Sequence, residues 1–153
     1  MKIVVGTDHR GTRLKNLIID QLAAMGHEAT ECAPPPDAEV SDYPDYAEAV
    51  ARAVAEGRAE RGILACGTGI GMAMAANKVH GVRAAVVWDL FTARRSREHN
   101  DANVLCLGND LIADVLACEI VKLWMETPAE PGRHRRRVEK IMDIEAREAR
   151  RGG

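Results

Sequence analysis

Along the chain, short apolar runs of strand length alternate with longer stretches whose apolar residues recur at helical spacing. KIVVG at 2–6 predicts a buried strand. In GTRLKNLIIDQLAAMG, Leu14, Leu17, Ile18 and Leu22 fall on one helical face, and Gly26 supplies the stop. HEATEC at 27–32 predicts a second strand. APPPDAEVSDYP at 33–44 cannot be regular, because Pro34 to Pro36 remove donors and fix the backbone. DYAEAVARAVAEG is an Ala-rich amphipathic helix that ends at Gly57.

RGILAC at 61–66 is the third strand, and a glycine loop feeds a third helix. VRAAVVW at 82–88, LFTARRSREH at 90–99, NVLCLG at 103–108 and IADVLACEIVKLWMET at 112–127 continue the alternation as strand, helix, strand and helix. Near-continuous apolar strands mean that both sheet faces are covered. The pattern therefore predicts an α/β fold with a five-stranded parallel, doubly wound sheet between two helical layers. Ligands in such sheets sit at the carboxyl ends of the strands. That rule selects Asp8 and His9, Cys66 to Gly71, and Asp89. In the last segment, Val138, Ile141, Met142 and Glu145 mark a helix with a narrow apolar stripe, expected to pack on a neighbouring subunit.

Composition narrows the function class. The 153 residues suggest one domain, 1–153, able to fold without disulfides. The net charge of −2 argues against a nucleic-acid or membrane-surface partner. Cys32, Cys66, Cys106 and Cys118 form no CxxC, which excludes a zinc ribbon. No leader pattern opens the chain and no apolar run reaches the roughly 20 residues of a membrane span, so a cytoplasmic protein with reduced thiols is expected.

The informative stretch is RGILACGTGIGMAMAANKV at 61–79. Gly67, Gly69 and Gly71 leave backbone amides open at a strand-to-helix turn, a geometry that binds anions. The spacing is GxGxG after the third strand, not the GxGxxG after the first strand that a dinucleotide site requires. Cys66 stands at the strand tip beside those amides, where a thiolate serves as nucleophile or base. Cys32, Cys106 and Cys118 read as core residues. SREHND at 96–101 supplies His99, Asn100 and Asp101 at a helix end. No second ligand stands at metal-binding spacing beside Glu98 and His99, so no metal is expected. In GRHRRR at 132–137, Arg133 and Arg137 are four apart on one face, and their forks suit a phosphate. Lys122 and Lys140 read as surface residues.

Together these pieces resemble the ribose-5-phosphate isomerase B family, similar in turn to galactose-6-phosphate isomerase subunits. The matching segments are GTDHRG with LK after it, SDYPDYA, GILACGTGIGMAMAANKVHGVRAA, SREHNDANVLCLG and GRHRRRV, in the family's order. The resemblance implies a Rossmann-like α/β/α sandwich. It implies metal- and cofactor-free aldose–ketose isomerisation of ribose 5-phosphate and ribulose 5-phosphate through an enediolate. It also implies a dimer or tetramer with active sites shared between subunits. By the same resemblance Cys66 is the base that moves a proton between C1 and C2, and His99 opens the furanose ring. Asp8 and His9 contact substrate. Thr68 and the loop Gly67, Gly69, Ile70 and Gly71 hold the enediolate, Asn100 binds a sugar hydroxyl, and Arg133 and Arg137 bind phosphate.

Two departures from the family stand out. Asp110 occupies a position where many relatives carry an arginine that reaches the phosphate, and Arg10 replaces a small or apolar residue. Arg10 is a candidate for the missing positive charge. A tetrose or hexose phosphate, or an inactive sugar-phosphate-binding subunit, is the alternative reading. A nucleotide-binding oxidoreductase lacks its fingerprint after strand one. A thiol phosphatase would need an arginine in CGTGIG.

Overall fold

The structure is a computed structural model and describes residues 1–35 and 39–151. Five strands, β1 (Lys2–Thr7), β2 (Glu28–Cys32), β3 (Arg61–Cys66), β4 (Ala84–Val86) and β5 (Val104–Gly108), form one sheet in the order β2-β1-β3-β5-β4. Every pairing is parallel. The helices are α1 (Thr12–Ala24), α2 (Tyr43–Ala55), α3 (Ile70–Ala76), α4 (Leu90–Glu98), α5 (Asp114–Glu126) and α6 (Arg133–Arg151).

The strand pleat sorts the apolar residues into two cores. Ile3, Val5, Ile63, Ala65, Leu105 and Leu107 point to the layer of α1, α4 and α5. Val4, Leu64, Cys66, Val104 and Cys106 alternate with them and point to α2 and α3. The α/β/α sandwich read from the sequence is therefore present, with one difference in extent. VRAAVVW gives only a three-residue edge strand, Ala84–Val86. Beyond it the strand pairing stops, although Val87 N–H still bonds to the Cys106 carbonyl and Trp88 is exposed. Pro36 and residues 37 and 38 of the proline-rich segment, and Gly152 and Gly153, lie outside the described residues.

Topology positions the chemistry. From β1 the chain steps outward to β2, and from β3 it proceeds the other way, so the order reverses between β1 and β3. The loops leaving these two strands, from Asp8 and from Gly67, stand side by side at the carboxyl edge. Helix α6 barely joins the body: His134 is its buried residue, and Ile141 and Ile144 are exposed. Its attachments are polar. Glu145 accepts from the Gly81 N–H, and an Arg83 guanidinium N–H reaches Met142 Sδ. No helix among the described residues is long and apolar enough to cross a membrane.

Candidate active site

At the carboxyl edge, Cys66 ends β3 with 6% of its surface exposed. Its Sγ accepts the Gly69 N–H at 3.1 Å. Gly69 caps α3 with φ +80°, a left-handed value, and a Cβ there would meet the Leu107 carbonyl at 3.1 Å. Thr68 is exposed, and its Oγ1 accepts the Ile70 N–H at 3.3 Å. Two amides of the loop are thus bonded internally. Those of Gly71 and Met72, next in the first turn of α3, are the helix-start donors that remain for an anion. Gly71 lies under the Tyr43 ring, with a Cβ position only 2.7 Å from it.

The β1 loop closes the other side. Asp8 is buried and its Oδ1 takes the Arg10 N–H at 2.9 Å. His9 donates its backbone N–H to Ser41 Oγ, and its Nδ1 lies 3.2 Å from the Ser41 N–H and 3.3 Å from the Ser41 carbonyl, so Ser41 holds both its backbone and its ring. Arg10 Nη2 pairs with Asp110 Oδ2, and both side chains lie over Gly67. The Arg10 charge is therefore matched by a neighbouring carboxylate.

His99 and Asn100 stand elsewhere. β5 runs parallel to β3 with Gly62 opposite Val104 and Cys66 opposite Gly108. His99 and Asn100 precede Val104, beside the start of β3. Four strand steps of about 3.3 Å each separate that start from the thiol end, roughly 13 Å. Here His99 caps the end of α4, and its ring stacks on His134 with centroids 3.8 Å apart and planes 4° from parallel. Arg95 Nη1 donates to His99 Nε2 at 3.1 Å, and Arg133 Nε donates to His134 Nε2 at 3.2 Å. Asn100 is exposed, as are Arg133 and Arg137 on α6. The loop is fixed from behind. Asp101 adopts φ 45°, and its carboxylate binds the buried Arg97 at 2.8 Å and Arg83 at 3.3 Å. Arg97 also donates to the Ala102 carbonyl at 2.6 Å.

The predicted residues thus gather in two separate clusters. Asp8, His9, Cys66, Gly67, Thr68, Gly69, Ile70 and Gly71 gather at one sheet edge, and His99, Asn100, Arg133 and Arg137 at the other. Asp89 belongs to neither; its Oδ1 accepts the Thr92 N–H at 2.7 Å and caps α4.

Sequence reasoning overlooked Ser41 and Tyr43, although both lie in the SDYPDYA segment, and His134, which sits between arginines that it did single out. It also found no partner for His99. The fold supplies two, since His99, Glu130 and His134 bring possible ligand atoms within 4.8 Å of one another. A cation does not suit them. Imidazole lone pairs lie in the ring planes, and two parallel planes do not converge on one ion. Arginine N–H groups already occupy both Nε2 atoms. Of the cysteines read as core, Cys106 is fully buried, and burial, then the neighbouring Cys66, pushes its thiol pKa far up. Cys32 and Cys118 are only partly covered.

A family profile described as Ribose/Galactose Isomerase matches residues 3–141. The chain belongs to this family. Ribose-5-phosphate isomerase B of Escherichia coli (strain K12) is 45% identical over 146 residues, covering 95% of this chain and 97% of the relative. D-erythrulose-4-phosphate isomerase of Pectobacterium atrosepticum is 43% identical, covering 92% and 93%. Among solved structures, ribose-5-phosphate isomerase B of Clostridium thermocellum superposes with a TM-score of 0.92 at 47% identity, covering 96% and 99%. As a member of the ribose/galactose isomerase family, the chain is an aldose–ketose isomerase of sugar phosphates.

Proposed function

We propose that the chain interconverts ribose 5-phosphate and ribulose 5-phosphate at a site built from two copies, Cys66 coming from one and His99 from the other. The observation that carries this reading is the Cys66 Sγ held by the Gly69 amide beside the open amides of α3. The separation of His99 from that sulfur along the sheet supports the second copy. So does α6, whose apolar stripe finds little cover in its own chain.

The chemistry follows from the donors. Once the ring is open, the Cys66 thiolate takes the C2 proton of the aldose. The C–H electrons form the C1=C2 bond, and the carbonyl electrons move onto O1. The resulting oxyanion meets the Gly71 and Met72 amides, with the Thr68 hydroxyl beside them. Cys66 then returns its proton to C1, and the O2 proton passes to O1 as the C2 carbonyl forms. Asp8, His9 and Asn100 address the sugar hydroxyls, and Arg133 and Arg137 the phosphate. One preorganised oxyanion donor is worth about 2.7–4 kcal/mol of barrier.

One observation favours a second reading. The Arg10–Asp110 pair crowds the Cys66 loop and places a carboxylate there. A shorter sugar phosphate would suit such a mouth, and one relative is named for a four-carbon substrate. Coupled assays on tetrose, pentose and hexose phosphates test the choice. The five-carbon substrate should give the highest kcat/KM, and a tenfold preference for a four-carbon one would reverse it. Subunit mixing tests the shared site. In a random dimer mixture of inactive Cys66→Ala and His99→Asn chains, half the dimers are mixed and each restores one site of two, so activity should return to about a quarter of wild type. No recovery after subunit exchange would place both groups on one chain.

A further inference from the structure

His134 is 4% exposed and lies flat against His99. Arginine has only donors, so each imidazole nitrogen that meets an arginine N–H must accept. Both Nε2 atoms do so. Each Nε2 is therefore an acceptor in this arrangement. The His134 Nδ1 is buried and finds no partner among the described residues. The charged groups facing the stack are Arg95 and Glu98 of α4, Asp101 after it, Glu130 before α6, and Arg133, Arg135 and Arg137 of α6. Glu98 is paired with Arg95, and Asp101 with Arg83 and Arg97. Glu130 is the carboxylate left to His134, with Oε2 at 3.4 Å from Nε2.

We infer that His134 is a positioning residue for ring opening: its neutral ring fixes the plane of the His99 imidazole and leaves to His99 the single proton that the stacked pair takes up. The inference rests on the proposed role of His99 and goes beyond it, because nothing in that role requires a second histidine. Opening the furanose breaks the C1–O4 bond, releases the O1 proton as C1=O1 forms, and places a proton on O4. A group serving this step must change charge while its ring stays aimed at O1 and O4. Parallel stacking restrains the ring, and a second charge 3.8 Å away would oppose the first. The two rings also differ in setting. Burial, then His99, then Arg133 hold His134 below the ordinary imidazole value, and Glu130 only partly opposes them. His134 is the more deeply buried ring of the pair, and burial disfavours its charged form.

The test reads the stack directly in the intact protein. Histidine labelled at Cε1 with carbon-13 gives five signals, and His99→Asn and His134→Phe assign the two that matter. On lowering the pH from about 8 to 5, the His99 signal should move first and that of His134 should lag. His134 protonating at the higher pH, or the two titrating as unconnected imidazoles, overturns the inference. Kinetics supply the second readout. His134→Ala should lower kcat on ribose 5-phosphate about ten- to a hundredfold with KM within about twofold, because a ring displaced by about 1 Å loses alignment. His134→Phe, flat but unable to titrate, should restore most of that loss. If Phe is as damaging as Ala and KM rises in both, His134 binds substrate through its nitrogens and the positioning role fails. The two readings fail separately. Full activity of His99→Asn sinks the ring-opening role while the order of titration is still measured, and a reversed order sinks only the role of His134.

Discussion

The two clusters, proposed as the halves of one site, are built from different materials. The Cys66 half is mostly backbone: a strand tip, three glycines and the amides of a helix start, all within 61–72. The His99 half is mostly side chain. Rings and guanidiniums from α4, the turn after it and the start of α6 meet across about 35 positions of sequence, held by hydrogen bonds from Arg95, Arg97 and Arg133. Backbone amides are fixed by the fold and need no reorganisation when charge develops on a substrate oxygen. Imidazoles and arginines move protons and bind phosphate, but their places depend on other side chains. Substitutions in the first half should therefore act steeply and locally, and those in the second should be graded and sensitive to pH.

The sharpest contrast comes from Cys66→Ala. Removing the proposed base should lower kcat by about 10³-fold, within the 10²–10⁴ typical of a positioned acid–base group. The melting temperature should fall by a few degrees at most, since only one nearly buried sulfur, packed in the layer of α2 and α3, is lost. Steady-state kinetics and a melting curve measure the two effects. A kcat within tenfold of wild type would remove the sulfur from the proton transfer.

Next in size is Gly69→Ala, which leaves every functional side chain in place. A left-handed alanine costs about 1–2 kcal/mol, and its Cβ would press on the Leu107 carbonyl, a backbone group with little freedom to yield. We expect the melting temperature to fall by about 2–6 °C, scaling with chain size. kcat should also fall, because the amide that holds Cys66 Sγ shifts. A fully active, equally stable variant would show that the loop geometry contributes nothing.

This division of materials also explains what the chain reveals before folding. Glycines at 67, 69 and 71 after an apolar strand, with a thiol at its tip, declare a backbone cradle because their order in sequence is their order in space. The parallel sheet was legible for a similar reason: strands such as Ile63–Cys66 are apolar at every position only when both faces are covered. Ala84–Val86 was overread because residues 82–88 have the apolarity of a strand, while pairing along a short edge is set by its neighbour β5. The His99 cluster was only half legible. Arg133 and Arg137 suit a phosphate by residue type, but the stacking of His134 on His99 depends on how α6 leaves α5, which no local spacing encodes. The Arg10–Asp110 pair spans 100 positions and was hidden in the same way, although each residue drew notice separately.

That pair offers a smaller test. Arg10→Ala frees the Asp110 carboxylate beside the Cys66 loop, where it would repel a substrate anion. Asp110→Asn frees the guanidinium, which would attract one. Both side chains are about half exposed, so each effect should stay within a few-fold. KM should rise in the first variant and fall in the second, with kcat nearly constant. Equal KM values would mean that substrate does not approach this side of the loop.

The smallest effect expected is in the other half and reads stability alone. The native fold holds His134 below its ordinary value near 6.5, so below that pH the unfolded chain binds a proton that the native chain refuses. Native stability from this group is complete above about pH 6.5 and is lost as pH falls from there through the lowered native value. His134→Phe removes the refused proton, and its denaturation midpoint should decline less steeply than wild type over that acid range. The two profiles should run parallel at higher pH, where both rings are neutral. Gly69→Ala, lacking any titrating group, should shift the whole profile downward without changing its slope. Parallel profiles for wild type and His134→Phe on the acid side would mean that His134 protonates in the native chain as readily as in the unfolded one, and the stack would then hold no proton apart.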